Sequence, residues 1–176
     1  MAHTPTIVPC LWCDGRALEM AEFYVSLFPD SHIDRILRSS VDTPGAKQGD
    51  PLLIEFTLAG KQHQILCGGP HDPFKLPDAI SLSALCKDQE EVDRLWEALT
   101  ADGGQPIQCS WLRDKFGIAW QIVPEALPRL LHDKDSEKAK RVMEAMMQMV
   151  KIDVARLEAA YNGTVAPLLK PTPTSP

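Results

Sequence analysis

The chain opens with an apolar, strand-like stretch over residues 6–13, which the Asp14-Gly15 turn converts into a helical spacing of Ala17, Met20, Ala21, Tyr24, Leu27 and Phe28. Pro29 ends that helix. Three strands are predicted next: residues 31–39, then 51–58 after the polar loop VDTPGAKQGD, then 61–67 after a tight Ala59-Gly60 turn. A second series begins near Ala79 with the strand AISLSALC. Asp88 followed three residues later by Glu91 marks a helix start, and Val92, Leu95, Trp96 and Leu99 give that helix one apolar face. Gly103-Gly104 stops it. Strands follow at 106–110, 111–114 and 118–123, the last two joined by Asp114-Lys115-Phe116-Gly117, a sequence suited to a hairpin with glycine in the left-handed position. Each series reads β-α-β-β-β.

Beyond the second series the spacing changes. Residues 125–131 read as a short helix, and 136–149 as a longer one capped by Asp135 and carrying Val142, Met143, Met146, Met147 and Met149. Asp153 caps a last helix through Tyr161. Methionines at helical spacing serve as core or interface filler. Residues 164–176 are mostly Thr, Pro and Leu without periodicity, the composition of a disordered tail. The expected organisation is one domain over residues 1–163, with a first module at about 6–69, a second at about 79–124 and C-terminal helices at about 125–161.

Composition narrows the function classes. The 176 residues, 44% hydrophobic and 24% charged, suit a soluble globular protein large enough to need neither disulfide nor metal for stability. No apolar run approaches the roughly 18 residues of a membrane span. The start MAHTPTIVPCLWCDG lacks a basic region, an apolar stretch and a cleavage site, so a cytoplasmic location is expected. A net charge of −6 without a Lys/Arg block argues against nucleic acid as a partner. Five irregularly spaced cysteines fit reduced thiols. Cys10 and Cys13 form a CxxC, but within a strand they point to opposite faces, so they read as small apolar fillers rather than a redox pair. No nucleophile elbow, HExxH or paired CxxC occurs, which leaves serine hydrolase and zinc-finger readings without support.

The segments PCLWCDGRALEMAEFYVSLFPDS, EFTLAGKQHQILCGGPH, CSWLRDKFGIAWQIVP and EKAKRVMEAMMQMVKIDVARLEAAY resemble the PhnB-like branch of the vicinal oxygen chelate superfamily. That superfamily includes glyoxalases, bleomycin-resistance proteins and extradiol dioxygenases. The resemblance implies an α+β fold of paired βαβββ modules forming curved mixed sheets around a cleft, followed here by C-terminal helices. It also implies a homodimer, for whose interface the Met-rich helices are candidates. Some relatives carry a 3-demethylubiquinone methyltransferase label, yet the sequence has no glycine-rich strand-to-helix loop of the kind a methyl-donor nucleotide site uses. Metal-using members commonly draw ligands from the first and last strands of each module. The resemblance maps those positions to Pro9, Gln64, Ser81 and Gln121, a set too weak for a divalent ion, so no metal and no cofactor are expected.

Strand alternation divides the remaining candidates. The more apolar parity, assigned to the helix side, holds Cys10, Trp12, Ile54, Phe56, Leu58, Ile65, Cys67, Leu82, Ala84, Cys86, Trp120 and Ile122. The other parity, assigned to the cleft, holds Leu11, Cys13, Glu55, Thr57, Gln62, Gln64, Ser81, Ser83, Ala119 and Gln121. His63 breaks the pattern and reads as a hydrogen-bonded or edge residue. Gln64 and Gln121 are expected to face each other, either bonding a ligand or bonding each other and the backbone. Glu55 is the catalytic candidate: partial desolvation would raise its pKa toward that of a general base, unless it pairs with Arg113 or another cation. Leu11, Cys13, Trp111 and Phe116 are candidate walls for the ligand. The Cys67-Gly-Gly-Pro-His71 stretch reads as a turn. The expected function is binding of a small organic molecule, with Glu55-assisted proton transfer as the chemical option. The alternatives are a metal-dependent lyase, isomerase or dioxygenase using Glu55, Gln64, Gln121 and His71, or a protein that only sequesters its ligand.

Overall fold

The computed structural model describes residues 8–70 and 80–164. Thr6, Ile7, His71, Ala79 and the expected tail from residue 165 lie outside them. The chain divides into two compact units, Met1–Leu76 and Pro77–Pro176.

In the first unit, β1 (Cys10–Cys13) and α1 (Ala17–Leu27) precede β2 (His32–Arg38), β3 (Pro51–Leu58) and β4 (Lys61–Cys67). The sheet order is β1-β4-β3-β2, with β1 parallel to β4 and the other pairs antiparallel. Strict alternation along β3 puts Ile54, Phe56 and Leu58 on one face, where they are buried with Ile65 and Cys67 of β4. The spacing of Met20, Ala21 and Tyr24 lays α1 on that face, and Tyr24 stacks on Phe56 at 6.5 Å between ring centroids. The β3-β4 hairpin turns through Ala59 and Gly60, whose φ values of 46° and 72° give both residues the left-handed conformation a two-residue loop needs.

The second unit repeats the plan with β5 (Leu82–Cys86), α2 (Gln89–Thr100), β6 (Gln105–Pro106), β7 (Trp111–Arg113) and β8 (Ala119–Pro124), in sheet order β5-β8-β7-β6. The Asp88 carboxylate accepts from the Glu91 backbone N–H at 2.9 Å, the cap read from the sequence, while the Glu91 carboxylate reaches back to the Lys87 N–H, one residue before the cap, at 2.9 Å. Asp114 is buried and organises the β7-β8 hairpin. Its carboxylate accepts from the backbone N–H groups of Phe116 and Ile118 and from the Trp120 indole, at 2.9, 3.0 and 2.9 Å. Gly117 closes the turn at φ 85°.

Helices α3 (Ala126–Leu131), α4 (Ser136–Met146) and α5 (Val154–Asn162) follow. They share a core of Leu127, Leu130, Val142, Met149, Ile152 and Leu157. Asp135 and Asp153 cap α4 and α5 as their positions predict. Strands β1 and β5 begin at Cys10 and Leu82, later than expected, and two further boundaries differ for a shared reason. Helix α4 stops at Met146 rather than 149, and β6 stops at Pro106 rather than 110, because these ends bond each other. Cys109 N–H donates to Met149 C=O at 2.8 Å and Ser110 N–H to Val150 C=O at 2.7 Å, with Cys109 and Ser110 at φ 58° and 62°. Ser110 Oγ then accepts from Ile152 N–H at 3.3 Å. The C-terminal helices are thereby fastened to the second sheet.

Candidate functional site

Each sheet has a face that its helix does not cover. On the first, pairing across the strands arranges the side chains in rows. Cys10 lies beside Gln64, Gln64 beside Glu55, and Glu55 beside Arg35. Two residues along the strands, a parallel row contains Trp12, Leu66, Leu53 and Leu37. On the opposite side of the polar row stand Gln62, Thr57 and His32. The Thr57 hydroxyl donates to Asp34 at 3.0 Å, and His32 Nε2 lies 3.0 Å from the other Asp34 oxygen.

Glu55 holds the centre. Arg35 donates to both carboxylate oxygens, through Nε at 2.7 Å and Nη2 at 2.8 Å. These bonds are the largest influence on Glu55 and hold its pKa below the ordinary value; the Gln64 amide acts in the same direction, and partial desolvation opposes them. The expectation of a raised pKa is therefore corrected: the partner is Arg35, and it favours the ionised carboxylate. Two shallow hollows meet at this pair. One of about 200 Å³ is lined by Arg35, Ile36, Leu37, Leu53 and Glu55. The other, of about 290 Å³, is lined by Val8, Asp34, Arg35, Glu55, Gln62, His63 and Gln64.

The first strand reverses the predicted parity. Leu11 and Cys13 pair with Ile65 and Cys67 on the helix side, Cys13 being buried, whereas Cys10 and Trp12 share the open face with Glu55 and Gln64. Residues 10–13, CLWC, are apolar at both parities, so alternation carries no direction there; the register against β4 sets it. Burial beside the Cys67 thiol pushes the Cys13 thiol up to about 12. His63 sits on the helix side, its Nδ1–H donating to Lys61 C=O at 3.0 Å and its ring 5.5 Å from Phe56.

On the open face of the second sheet, Ser83, Gln121 and Trp111 form one cross-strand row. The Gln121 amide donates to Ser81 Oγ at 2.8 Å. Phe116 stands apart in the hairpin turn, with the Lys115 ammonium 5.4 Å from its ring centroid. Ala119, also assigned to the open parity, is buried. Gln64 and Gln121 occupy equivalent positions in the two modules. Cys10 is accordingly the counterpart of Ser83, and Val8 rather than Pro9 that of Ser81.

Neither group implied by the superfamily or its labels fits these residues. In the first module Val8 has no donor atom and the Cys10 thiol, its pKa raised by burial, stands beside the neutral Gln64 amide; in the second, Ser81 or Ser83 with Gln121 offer only neutral oxygens, poor ligands for a divalent ion. Among the described residues no three of His, Cys, Asp and Glu gather as a metal site. The β1-α1 connection, Asp14-Gly15-Arg16, has a single glycine and its helix lacks a side-chain cap, so it does not form the glycine-rich cradle of a nucleotide methyl donor.

Sequence reasoning missed Arg35, Trp12, Leu37, Leu53 and Leu66. The Arg35 partnership depends on a bulge between Ile33 and Arg35, which shifts the β2 register where a simple alternation would place it elsewhere. The usable signal for Leu53 and Leu66 was their parity with Glu55 and Gln64 on the same strands; Leu37, like Arg35, follows from the β2 register.

Two mixed four-stranded sheets, each built on the same βαβββ plan, give the α+β fold of the vicinal oxygen chelate class. The family model described as 3-demethylubiquinone-9 3-methyltransferase matches residues 5–123. The PhnB protein from Bacillus cereus is 32% identical, with 68% of this chain and 99% of that one covered at a TM-score of 0.61. Protein PA1353 from Pseudomonas aeruginosa is 19% identical over 69% of this chain and 98% of its own, at a TM-score of 0.55. The fosfomycin resistance protein FosX from Listeria monocytogenes is 14% identical over 68% and 88%, at 0.42. No protein with a curated description matches. The chain belongs to the PhnB-like family that bears the 3-demethylubiquinone-9 3-methyltransferase description. Helices α3–α5 lie beyond the part matched by the family model.

Proposed function

We propose that the protein binds a small organic molecule on the open face of its first sheet, anchored by Arg35, Glu55 and Gln64. The observation that carries this reading is the meeting of two hollows at one Arg35–Glu55 pair, which gives a ligand acceptors and donors side by side. Glu55 acts there first as a hydrogen-bond acceptor, since its lowered pKa makes it a weak base. In the second module, Ser81, Ser83, Trp111 and Gln121 form a further polar and aromatic surface for ligand contact. We also propose a cytoplasmic homodimer. Its support is five free cysteines and the exposure of Met143, Met147 and Val150, and light scattering tests it by the mass of two chains.

The test is a fragment screen on isotope-labelled protein. Binding compounds should shift the Gln64 side-chain amide and the Arg35 Nε–H, and Glu55→Ala should weaken them about tenfold. Shifts confined to residues off this face would overturn the assignment. A bound compound that wild type converts and Glu55→Gln holds unchanged would assign proton transfer to Glu55.

A further inference from the structure

An apolar row runs beside the Arg35–Glu55 pair. Trp12, Leu66, Leu53 and Leu37 each come from a different strand, so the row crosses the whole sheet, about 14 Å at the usual strand spacing. Trp12 is 38% exposed and Leu37 53%. The apolar surface that Trp12 and Leu37 leave to solvent costs solvation free energy, which an apolar ligand lying on it would recover.

The Trp12 ring is also fixed in place. Its Nε1–H donates to Gly69 C=O at 3.1 Å, and the indole lies where any side chain at Gly68 would be: a Cβ there would stand 2.0 Å from the ring. Gly68 is thus required by the indole. An aromatic held by a hydrogen bond and a glycine presents its surface without paying for ordering when a ligand arrives.

We infer that the ligand is a neutral, ring-sized amphiphile whose apolar body lies along the Trp12–Leu66–Leu53–Leu37 row and whose polar edge meets Glu55 and Gln64. This inference rests on the proposed binding face and adds the chemical class of its occupant. Neutrality follows from the anchor. Arg35 and Glu55 cancel, so an anion meets the Glu55 carboxylate and a cation meets the Arg35 guanidinium. A group that both donates and accepts, such as a primary amide, satisfies the Glu55 acceptor and the Gln64 donor together. The two rows are separated by two residues along the strand, about 7 Å, which matches a polar substituent on the long edge of a fused bicycle.

The probes are 1-naphthamide, 1-naphthoate, 1-naphthylmethylammonium and acetamide, titrated calorimetrically while the Trp12 indole N–H is followed by NMR. The expected order puts 1-naphthamide tightest, both charged analogues about tenfold weaker and acetamide undetectable. Trp12→Ala and Leu37→Asn should each weaken 1-naphthamide about tenfold, with Trp12→Phe recovering most of the loss. Leu37 lies on the exposed edge strand, so that variant tests the row even if replacement of Trp12 disturbs folding. Binding of 1-naphthamide that neither variant changes, or equal binding of the charged analogues, overturns the inference while leaving the Glu55 anchor standing. Failure of 1-naphthamide to bind, with other fragments still shifting Gln64, overturns the ligand class alone. Failure of every compound to shift Gln64 or Arg35 overturns the binding face itself.

Discussion

Arg35 and Glu55 form a two-point ion pair across β2 and β3, with guanidinium nitrogens 2.7 and 2.8 Å from the two carboxylate oxygens. The pair separates an apolar hollow from a polar one, so its protonation state matters to both. Glu55 has a folded-state pKa below its ordinary 4.5, caused first by Arg35. The stabilisation from the pair is accordingly complete above the unfolded value and is lost as the pH falls through the lower, folded one. Carboxyl NMR titration should show Glu55 ionised throughout the neutral range. Arg35→Met should move its midpoint upward; an unmoved midpoint would show that Arg35 does not control it.

Asp114 offers a larger stability effect, because it is buried and serves three N–H donors from its own hairpin. Asp114→Ala leaves those donors without their acceptor and should cost about 3 kcal/mol. Urea unfolding measures this, and a loss below about 1 kcal/mol would mean that other groups or water replace the carboxylate.

The thiols should react in an order set by burial. Cys13 and Cys86 are pushed up to about 12 by burial, and Cys67 is buried as well. Cys10 is exposed and Cys109 half-buried. Burial also raises the Cys10 thiol, so its reaction should be slower than that of free cysteine. At pH 8 a chromogenic disulfide reagent should modify Cys10 and Cys109 in the native protein and the other three only after denaturation. Early modification of Cys13 would contradict its placement on the helix side.

Ile152 is fully buried in the C-terminal core and lies where that core is hydrogen-bonded to Ser110. Ile152→Ala should cost about 3 kcal/mol. Hydrogen exchange should show the Cys109 and Ser110 amides losing protection with it, since their acceptors are Met149 and Val150. Retained protection there would show that the helices unfold independently of the strand loop.

Some of this was fixed by local chemistry and legible in the chain. The 3.6-residue spacing of Val92, Leu95, Trp96 and Leu99, the caps at Asp88, Asp135 and Asp153, and the alternation of β3 each have one low-energy reading, whatever the rest of the protein does. The twofold βαβββ order follows from them, and so does the common face of Glu55 and Gln64. Other features depend on partners distant in sequence. The four apolar residues of β1 fit either parity, and only pairing with β4 puts Trp12 outward and Cys13 inward. The bulge in β2 decides that Arg35 meets Glu55, and backbone bonds from Cys109 and Ser110 decide where α4 ends. Periodicity reports how one segment meets one surface; register, bulges and long-range hydrogen bonds are set by two segments together, and they are what placed Arg35 on Glu55 and Trp12 in line with Leu66, Leu53 and Leu37.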